Sequence, residues 1–410
     1  MNDLTHILPS MKSGNELISE LAVFPDYEEK IRLENPAVRL TALSALYDVY
    51  IPSQMSIEIY NKLYLALLRS MHKKNKRIAI QQRYENRKAV RGQEYSGIIG
   101  GSDSFTIIGS SGIGKSTAIS RAISLITDNS VIEIERPYAK IILCVVVQCP
   151  FDCSVKGLLL EILRKVDGEL GSKYYQNALR ARATTDMLIG AASQVALNHV
   201  GMLIVDEIQN VVNNKNGKSL IGALTQLINN SGISIGMIGT PECTTFFESA
   251  MQLARRSAGL QYGAMRYDMY FKSFCKVLFD YQFVARKSEL TDTIIEWLYE
   301  HSAGVASIVV SLVHDGQEIA ILTGKEILDL DILNAAYEQR LSLMHGYIAP
   351  LIRKGKSTSV TTTKSKAVPV VQAELDDRAS ISILAQKSKA EGIDIIPLLK
   401  KCFKIIEVAI

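Results

Sequence analysis

The sequence predicts an α/β fold, a central parallel sheet flanked by helices, followed by a smaller all-helical unit. Three observations predict it. From Ser104 onward, short apolar runs alternate with longer segments of helical spacing, the pattern of strands joined by crossover helices. A glycine-rich loop joins the first of these runs to the first of these helices. After about Tyr270 the strand-like runs stop and only helical patterns remain.

The strand candidates are residues 105–108, 141–147, 202–205 and 235–238. Each is a short aliphatic run, as a strand buried on both faces requires. Between them, residues 118–126, 155–166 and 219–228 carry apolar side chains at helical spacing. Residues 290–301 and 331–344 read as helices of the later unit. Ahead of the sheet, the first fifty residues read as mixed and mostly helical, broken at Pro9, Pro25, Pro36 and Pro52. An amphipathic helix follows, with Ile59, Leu63 and Leu67 every four residues and Tyr60, Tyr64 and Met71 beside them. It runs into a basic stretch, residues 72–91, holding Lys73, Lys74, Lys76, Arg77, Arg83, Arg87, Lys88 and Arg91 against the single acid Glu85. We read that stretch as a solvated helix face, because charges on an exposed helix need no ligand; phosphate contact is the other reading. The expected organisation is a helical N-terminal extension over 1–92, partner-docking or DNA-proximal, a nucleotide-binding α/β domain over 93–270, and a helical lid over 271–347. A Ser/Thr/Lys-rich linker over 348–378 and a C-terminal tail over 379–410 complete it. In the tail, the run from Ile393 to Leu399 fits either a partner-docking hook or a segment packed on the lid.

At 410 residues, 47% of them hydrophobic, the chain can bury a sizeable core. A net charge of +4 is too mild to identify a polyanion partner, so any such contact must come from local patches. The start has no basic segment leading into a long apolar run, and the longest aliphatic run is far short of a membrane span. A cytoplasmic location is therefore expected, with reduced thiols and no membrane partner. Cys144, Cys149 and Cys153 lack the spacing and the histidine partners of a metal site and read as buried small hydrophobes.

Gly109-Ser110-Ser111-Gly112-Ile113-Gly114-Lys115-Ser116 matches GxxxxGK[ST] in full, with an apolar strand before it and a helix from Thr117 after it. Glycines let backbone N–H groups wrap a phosphate, and a helix N-terminus adds a favourable dipole. Lys115 would neutralise the β- and γ-phosphates and Ser116 would ligate Mg²⁺. The run Met202-Leu203-Ile204-Val205-Asp206-Glu207 ends a buried strand in two carboxylates, at the edge where open α/β sheets bind ligands. Asp206 would complete the metal shell, and Glu207 would polarise an attacking water. Such a pair beside a phosphate loop predicts hydrolysis of a bound nucleotide with Mg²⁺ as cofactor, the nucleotide being ATP where the loop belongs to an ATPase. Thr240, after the run 235–239, fits either a γ-phosphate sensor or part of a Gly-Thr-Pro turn. Arg255 and Arg256 fit either an exposed helix end or a guanidinium offered to a neighbouring subunit's site.

Taken in order, these elements resemble AAA+ ATPases, and more closely the TnsC/TniB family of bacterial transposition regulators. The residues that carry the likeness are the strand 105–109 with its GKST ending, the segment 148–158 (QCPFDCSVKGL), and Leu203-Ile204-Val205-Asp206-Glu207-Ile208-Gln209-Asn210. The Ile238-Gly239-Thr240-Pro241 turn and the run 296–304 (EWLYEHSAG) add to it. The likeness spans about 105–347. It implies a homo-oligomer, ring or helical filament, wound without sequence preference around duplex DNA. It implies a target-selection protein or RNA-guided complex at one side and transposase subunits at the other. It supports Thr240 as a sensor and Arg256 or Arg255 as a finger acting in trans, and it turns the region near Lys156 toward DNA, with Lys173, Arg180 and Arg182 as further candidates. The sequence departs from the wider AAA+ pattern after Gly304, where Val305-Ala306-Ser307 offers no lid arginine. A replication-initiator or helicase-loader ATPase is the nearest rival, but the residues after Gly346 leave little room for a DNA-reading module. A signalling NTPase switch is the other, and no repeat array of the kind such proteins append is visible.

Overall fold

The computed structural model describes residues 8–341, apart from short stretches at 75–76, 98, 100–103, 128–130, 136–137, 213 and 250–258. The expected linker and tail and both candidate finger arginines lie outside the described residues.

Chain order starts with helix α1 (Gly14–Leu21), a 3₁₀ turn (Glu29–Leu33), α2 (Pro36–Ala42) and a second 3₁₀ turn (Leu43–Asp48). Asn35 caps α2 and Pro36 opens it, a pairing suited to a helix start. The long α3 (Gln54–Lys74) buries Ile59, Leu63, Leu67 and Met71, as their spacing requires. The basic helix α4 (Arg77–Val90) follows. The sheet and its helices are β1 (Phe105–Gly109), α5 (Lys115–Ile126), β2 (Val131–Glu135), β3 (Tyr138–Gln148), α6 (Val155–Leu170), α7 (Tyr174–Arg180), α8 (Thr185–His199), β4 (Val200–Asp206), α9 (Gly217–Ser231), β5 (Ser234–Gly239), α10 (Cys243–Ser249) and β6 (Leu260–Tyr262). Four helices make the last part: α11 (Met269–Asp280), α12 (Asp292–Ser302), α13 (Ala306–Leu322) and α14 (Leu330–Arg340).

The sheet has six strands in the order β2-β3-β4-β5-β1-β6. All pairs are parallel except β2–β3, an antiparallel edge hairpin. The four expected strands are present. The two unforeseen ones, β2 and β6, are edge strands, where a continuous apolar run is not needed. β1, β5 and all of β4 but its last residue are buried, as a sheet covered on both faces demands. One face carries α6, α8 and α9, with Leu158, Ile162, Leu188, Leu224 and Leu227 packed on Val145, Leu203 and Ile235. The other carries α1, α3 and α5, where Leu17, Leu21, Leu63 and Leu67 meet Ile107, Ile119 and Ile204. A third core unites α11 to α14 with the 3₁₀ turn before α3, through Leu43, Leu46 and Val49.

The segment before the sheet is therefore divided between the two later parts of the molecule. Its α1 and α3 cover the sheet; residues 25–49 are bound to the lid helices. Arg39, 4% exposed, makes a bidentate pair with Glu326 at 2.6 and 2.7 Å and donates to the Phe283 carbonyl. Tyr27 donates to the Gln282 carbonyl, Arg32 to those of Val284 and Ala285, and Tyr281 to that of Pro25.

The basic stretch is a solvated face only in part: Arg77, Arg87 and Arg91 are exposed, as expected, and Lys74 is not. Lys74 is buried and donates its ammonium to the Ala196 and Leu197 carbonyls at the end of α8. Burial pushes its pKa well below the ordinary lysine value. Arg83 bonds the Asn198 side chain, and Asn86 donates to the Asn230 carbonyl at the end of α9. Cationic and amide side chains thus satisfy the last carbonyls of two helices, a need a sequence pattern does not display. Among the described residues, no helix is long and apolar enough to cross a membrane.

Candidate functional site

A parallel sheet gathers its strand tips on one edge, and three tips build this site. β1 ends in Gly109 and turns into the loop that opens α5. Gly112 (φ 80°) and Gly114 (φ 93°) adopt left-handed backbone that side-chain-bearing residues rarely enter. A Cβ on Gly109 would sit 2.7 Å from the Tyr262 carbonyl, so this strand exit also requires glycine. Gly114 is the N-cap of α5, and no side chain bonds the first N–H groups of that helix. They are left available to an anion. Lys115 donates to the Gly109 and Ser110 carbonyls at 2.6 and 2.8 Å. Burial lowers its pKa, with Asp206 and Glu207 pulling it back up. Ser110, Ser111, Ser116 and Thr117 are exposed, while Ile113 is buried and anchors the loop.

β4 ends in Asp206, half-buried, and Glu207, exposed. Glu207 has φ 57°, a left-handed conformation costing a non-glycine residue about 1–3 kcal/mol. Its N–H donates back to the Asp206 carboxylate at 2.8 Å. Its own carboxylate receives a hydrogen bond from the Gln209 side-chain amide. β5 lies between β1 and β4, so Gly239 and Thr240 fall between the phosphate loop and the two acids. Thr240 Oγ1 donates to the Glu242 carboxylate at 3.2 Å.

These residues line one cavity of about 790 Å³, which holds Gly112, Lys115, Ser116, Thr117, Asp206, Glu207, Gln209 and Thr240 together. The size suits a nucleotide-sized ligand. Ser116 and Asp206 face the same space and offer the hard oxygen ligands a magnesium ion takes.

The rest of the wall was not foreseen. Tyr47 of the second 3₁₀ turn, Val49 and Ile51 after it, and Met55 of α3 also line the cavity. Ile51 is fixed there by Tyr270, which donates to its carbonyl. The lid contributes Ser307, Val310 and Ser311, and the Ser307 N–H donates to the Gly112 carbonyl at 3.0 Å. Nothing local in residues 47–56 signals a ligand, because their role arises from contacts with residues more than two hundred positions away. Gln209 stood in the sequence only as part of a family likeness. Its signal is positional, two residues after Glu207 in a 3₁₀ turn that aims its amide at that carboxylate.

The DNA-facing candidates do not form one cluster. Lys156 lies in the first turn of α6 and Lys173 beyond its end, so most of a 16-residue helix, about 24 Å long at 1.5 Å per residue, separates them. Lys156, Lys173, Arg180 and Arg182 are all exposed, and Arg182 has φ 48°. The cysteines near the site are packing groups. Cys149 and Cys153 are buried, burial pushes the Cys149 thiol up to about 12, and Asn210 bonds across both residues.

A phosphate loop, an acid-bearing strand one place removed from it in a mostly parallel sheet, and a helical lid touching the loop give the chain the P-loop fold of the AAA+ class. Residues 101–262 match the family model described as bacterial TniB protein. No curated protein matches the chain. Among solved structures, the chain is similar to the Orc1 protein of Aeropyrum pernix in complex with DNA, at 14% identity and a TM-score of 0.42, covering 64% of each chain. It thus spans a little under two thirds of that relative. The Drosophila ORC bound to DNA is 12% identical with a TM-score of 0.44, over 99% of this chain and 86% of that one. The Holliday junction branch migration motor RuvB of Thermotoga maritima is 13% identical with a TM-score of 0.35, over 84% of each.

Proposed function

We propose that this protein is an ATP-dependent, DNA-binding regulator of transposition that assembles on duplex DNA and links a target-selection protein or complex to a transposase. The observation that carries the reading is the TniB match, which spans the phosphate loop, the acid-bearing strand and Thr240. The chemistry of the cleft agrees with it. The glycines at 112 and 114 and the uncapped start of α5 fit a triphosphate. Ser116 and Asp206 would hold Mg²⁺, which would supply charge neutralisation at the phosphates. Lys115 would leave the Gly109 and Ser110 carbonyls for the β- and γ-phosphates. Glu207, held by Gln209, would accept a proton from the attacking water, and Thr240 would sense the γ-phosphate. Arg255 or Arg256 would reach the site of the next subunit.

Because the ATP would lie between two copies, its binding favours assembly and its hydrolysis weakens the contact. Contacts to phosphates rather than base edges make DNA binding tolerant of sequence and sensitive to salt. A protein that coats any duplex selects a site by where assembly starts and how long it lasts. The test is electron microscopy and sedimentation with ATP, Mg²⁺ and long duplex DNA, with the ATPase rate measured with and without DNA. Assembly on the duplex and a DNA-dependent rate are expected. A protein that stays monomeric under those conditions rules the reading out.

A further inference from the structure

Helix α4 is built with its large side chains outward. Its buried stripe is Ala79, Gln82, Asn86 and Ala89, small or polar residues that let it press on α8. The approach is close: a Cβ on Gly190 of α8 would lie 2.6 Å from the Ala89 Cβ. Its opposite stripe carries Arg77, Ile80, Tyr84, Arg87, Lys88 and, just past its end, Arg91. Ile80 is 56% exposed and Tyr84 63%. An amphipathic helix normally turns its apolar residues inward, so this arrangement is inverted.

The stripe is also electrostatically uncompensated. Between Arg77 and Arg91 the chain has five cations and one acid, Glu85, and Glu85 is engaged by Lys88. Arg77, Arg87 and Arg91 have no side-chain hydrogen bond or ion pair among the described residues. Arg87 lies near enough to Arg83 to repel it. α4 is pinned by Arg83 and Asn86 to the ends of α8 and α9, beside Lys74 at the end of α3. Those helices end just before β4 and β5, and Ala89 meets Gly190 toward the middle of α8, so α4 runs along the outer side of α8 from the sheet edge opposite the phosphate loop. A rigid helix of 14 residues, about 21 Å long at 1.5 Å per residue, thus holds a row of free cations away from the nucleotide cleft.

We propose that the outer stripe of α4, centred on Tyr84 and edged by Arg77, Arg87 and Arg91, is a binding surface for the phosphate backbone of duplex DNA. Charge chooses this occupant. Phosphate backbones are held chiefly by exposed cations, and the one acid of this segment is already engaged by Lys88, leaving Arg77, Arg87 and Arg91 uncompensated. Here cations run the length of the stripe and surround Ile80 and Tyr84. Tyr84 adds a phenolic donor, and Ile80 offers an apolar contact for a sugar. The proposal rests on the reading of the protein as DNA-binding, but it assigns a surface unrelated to the nucleotide cleft, so its binding needs no ATP.

The test uses the full chain and a fluorescein-labelled mixed-sequence duplex, with anisotropy read across a salt series without nucleotide. Wild type is compared with the triple variant Arg77→Gln, Arg87→Gln, Arg91→Gln and with the same three positions as lysine. These side chains face outward, so melting temperature and DNA-free ATPase rate stay unchanged. The glutamine variant is expected to lose roughly tenfold or more in affinity and about 1 unit of salt slope per arginine, and the lysine variant to keep its slope. No binding by wild type removes the DNA-binding reading and this surface with it. Binding by wild type and the glutamine variant with equal affinity and slope overturns the surface alone. Wild-type binding of poly-L-glutamate that is lost in the glutamine variant, with duplex binding intact, also overturns it and makes the stripe a site for an acidic protein.

Discussion

Glu207 has an unusual backbone for its residue type, and its surroundings account for it. The left-handed φ of 57° turns the chain sharply at the end of β4, where the N–H can bond Asp206 and the side chain can meet Gln209. Strain of this kind persists where several contacts over-determine it. Glu207→Gln keeps the shape and removes the base, so it should bind ATP normally and hydrolyse it at least about a hundredfold more slowly. Its ATP-bound assembly on DNA should then outlast that of wild type. Turnover at the wild-type rate would remove Glu207 as the base. Gln209→Ala separates positioning from chemistry: it should lower kcat while leaving nucleotide affinity unchanged, and a rise in the ATP dissociation constant without a kcat effect would contradict that role. Lys115→Ala should abolish ATP binding, as measured by a fluorescent ATP analogue, because no other described cation faces the loop interior.

At the scale of elements, the strap formed by residues 25–49 ties the lid to the segment that walls the cleft. Its strongest single tie is Arg39 to Glu326, with the guanidinium buried and the carboxylate also accepting from the Ala285 N–H at 3.0 Å. Removing one member of such a pair leaves the other poorly solvated, and roughly 3 kcal/mol is at stake. Arg39→Ala should therefore lower the melting temperature by several degrees and weaken ATP binding, because Tyr47, Val49 and Ile51 follow in the same strap. A melting curve unchanged by the substitution would show that the pair is neutral. The pH dependence follows from Glu326, whose pKa is lowered chiefly by its hydrogen bonds with Arg39. A lowered folded-state pKa gives stability that is fully present above the unfolded value near 4.3 and is lost as pH falls through the folded value. Wild type should thus lose lid stability in that acid range, and the Arg39→Ala protein should lose less. These long-range ties mark the limit of what was legible in the sequence. The loop at 109–116, the acids at 206–207 and four strands were readable because their pattern lies within a few consecutive residues. The walls at 47–56 and the buried side of α4 were not, since each depends on partners far along the chain. Lys74 shows the difficulty in one residue, since it reads as a surface charge and serves as a buried helix cap.

The whole molecule places the proposed nucleotide cleft at the edge of the sheet, with Glu207 exposed and Thr240 half-exposed there. A site so open would be completed by a second copy, and that idea can be tested without seeing the oligomer. A subunit with Glu207→Gln lacks the base but keeps its arginines. A subunit with Arg255→Ala and Arg256→Ala lacks the finger but keeps its base. Each protein alone should be nearly inactive, since a finger supplied in trans commonly accounts for a thousandfold or more of the rate, roughly. Mixed in equal amounts with DNA, they should regain roughly a quarter of the wild-type rate, the statistical share of junctions that join an intact base to an intact finger. The recovery should depend on total protein concentration, since it requires assembly. A mixture as inactive as its components, under conditions where both variants still assemble on the duplex, would place the arginines outside the neighbouring site and confine hydrolysis to one chain.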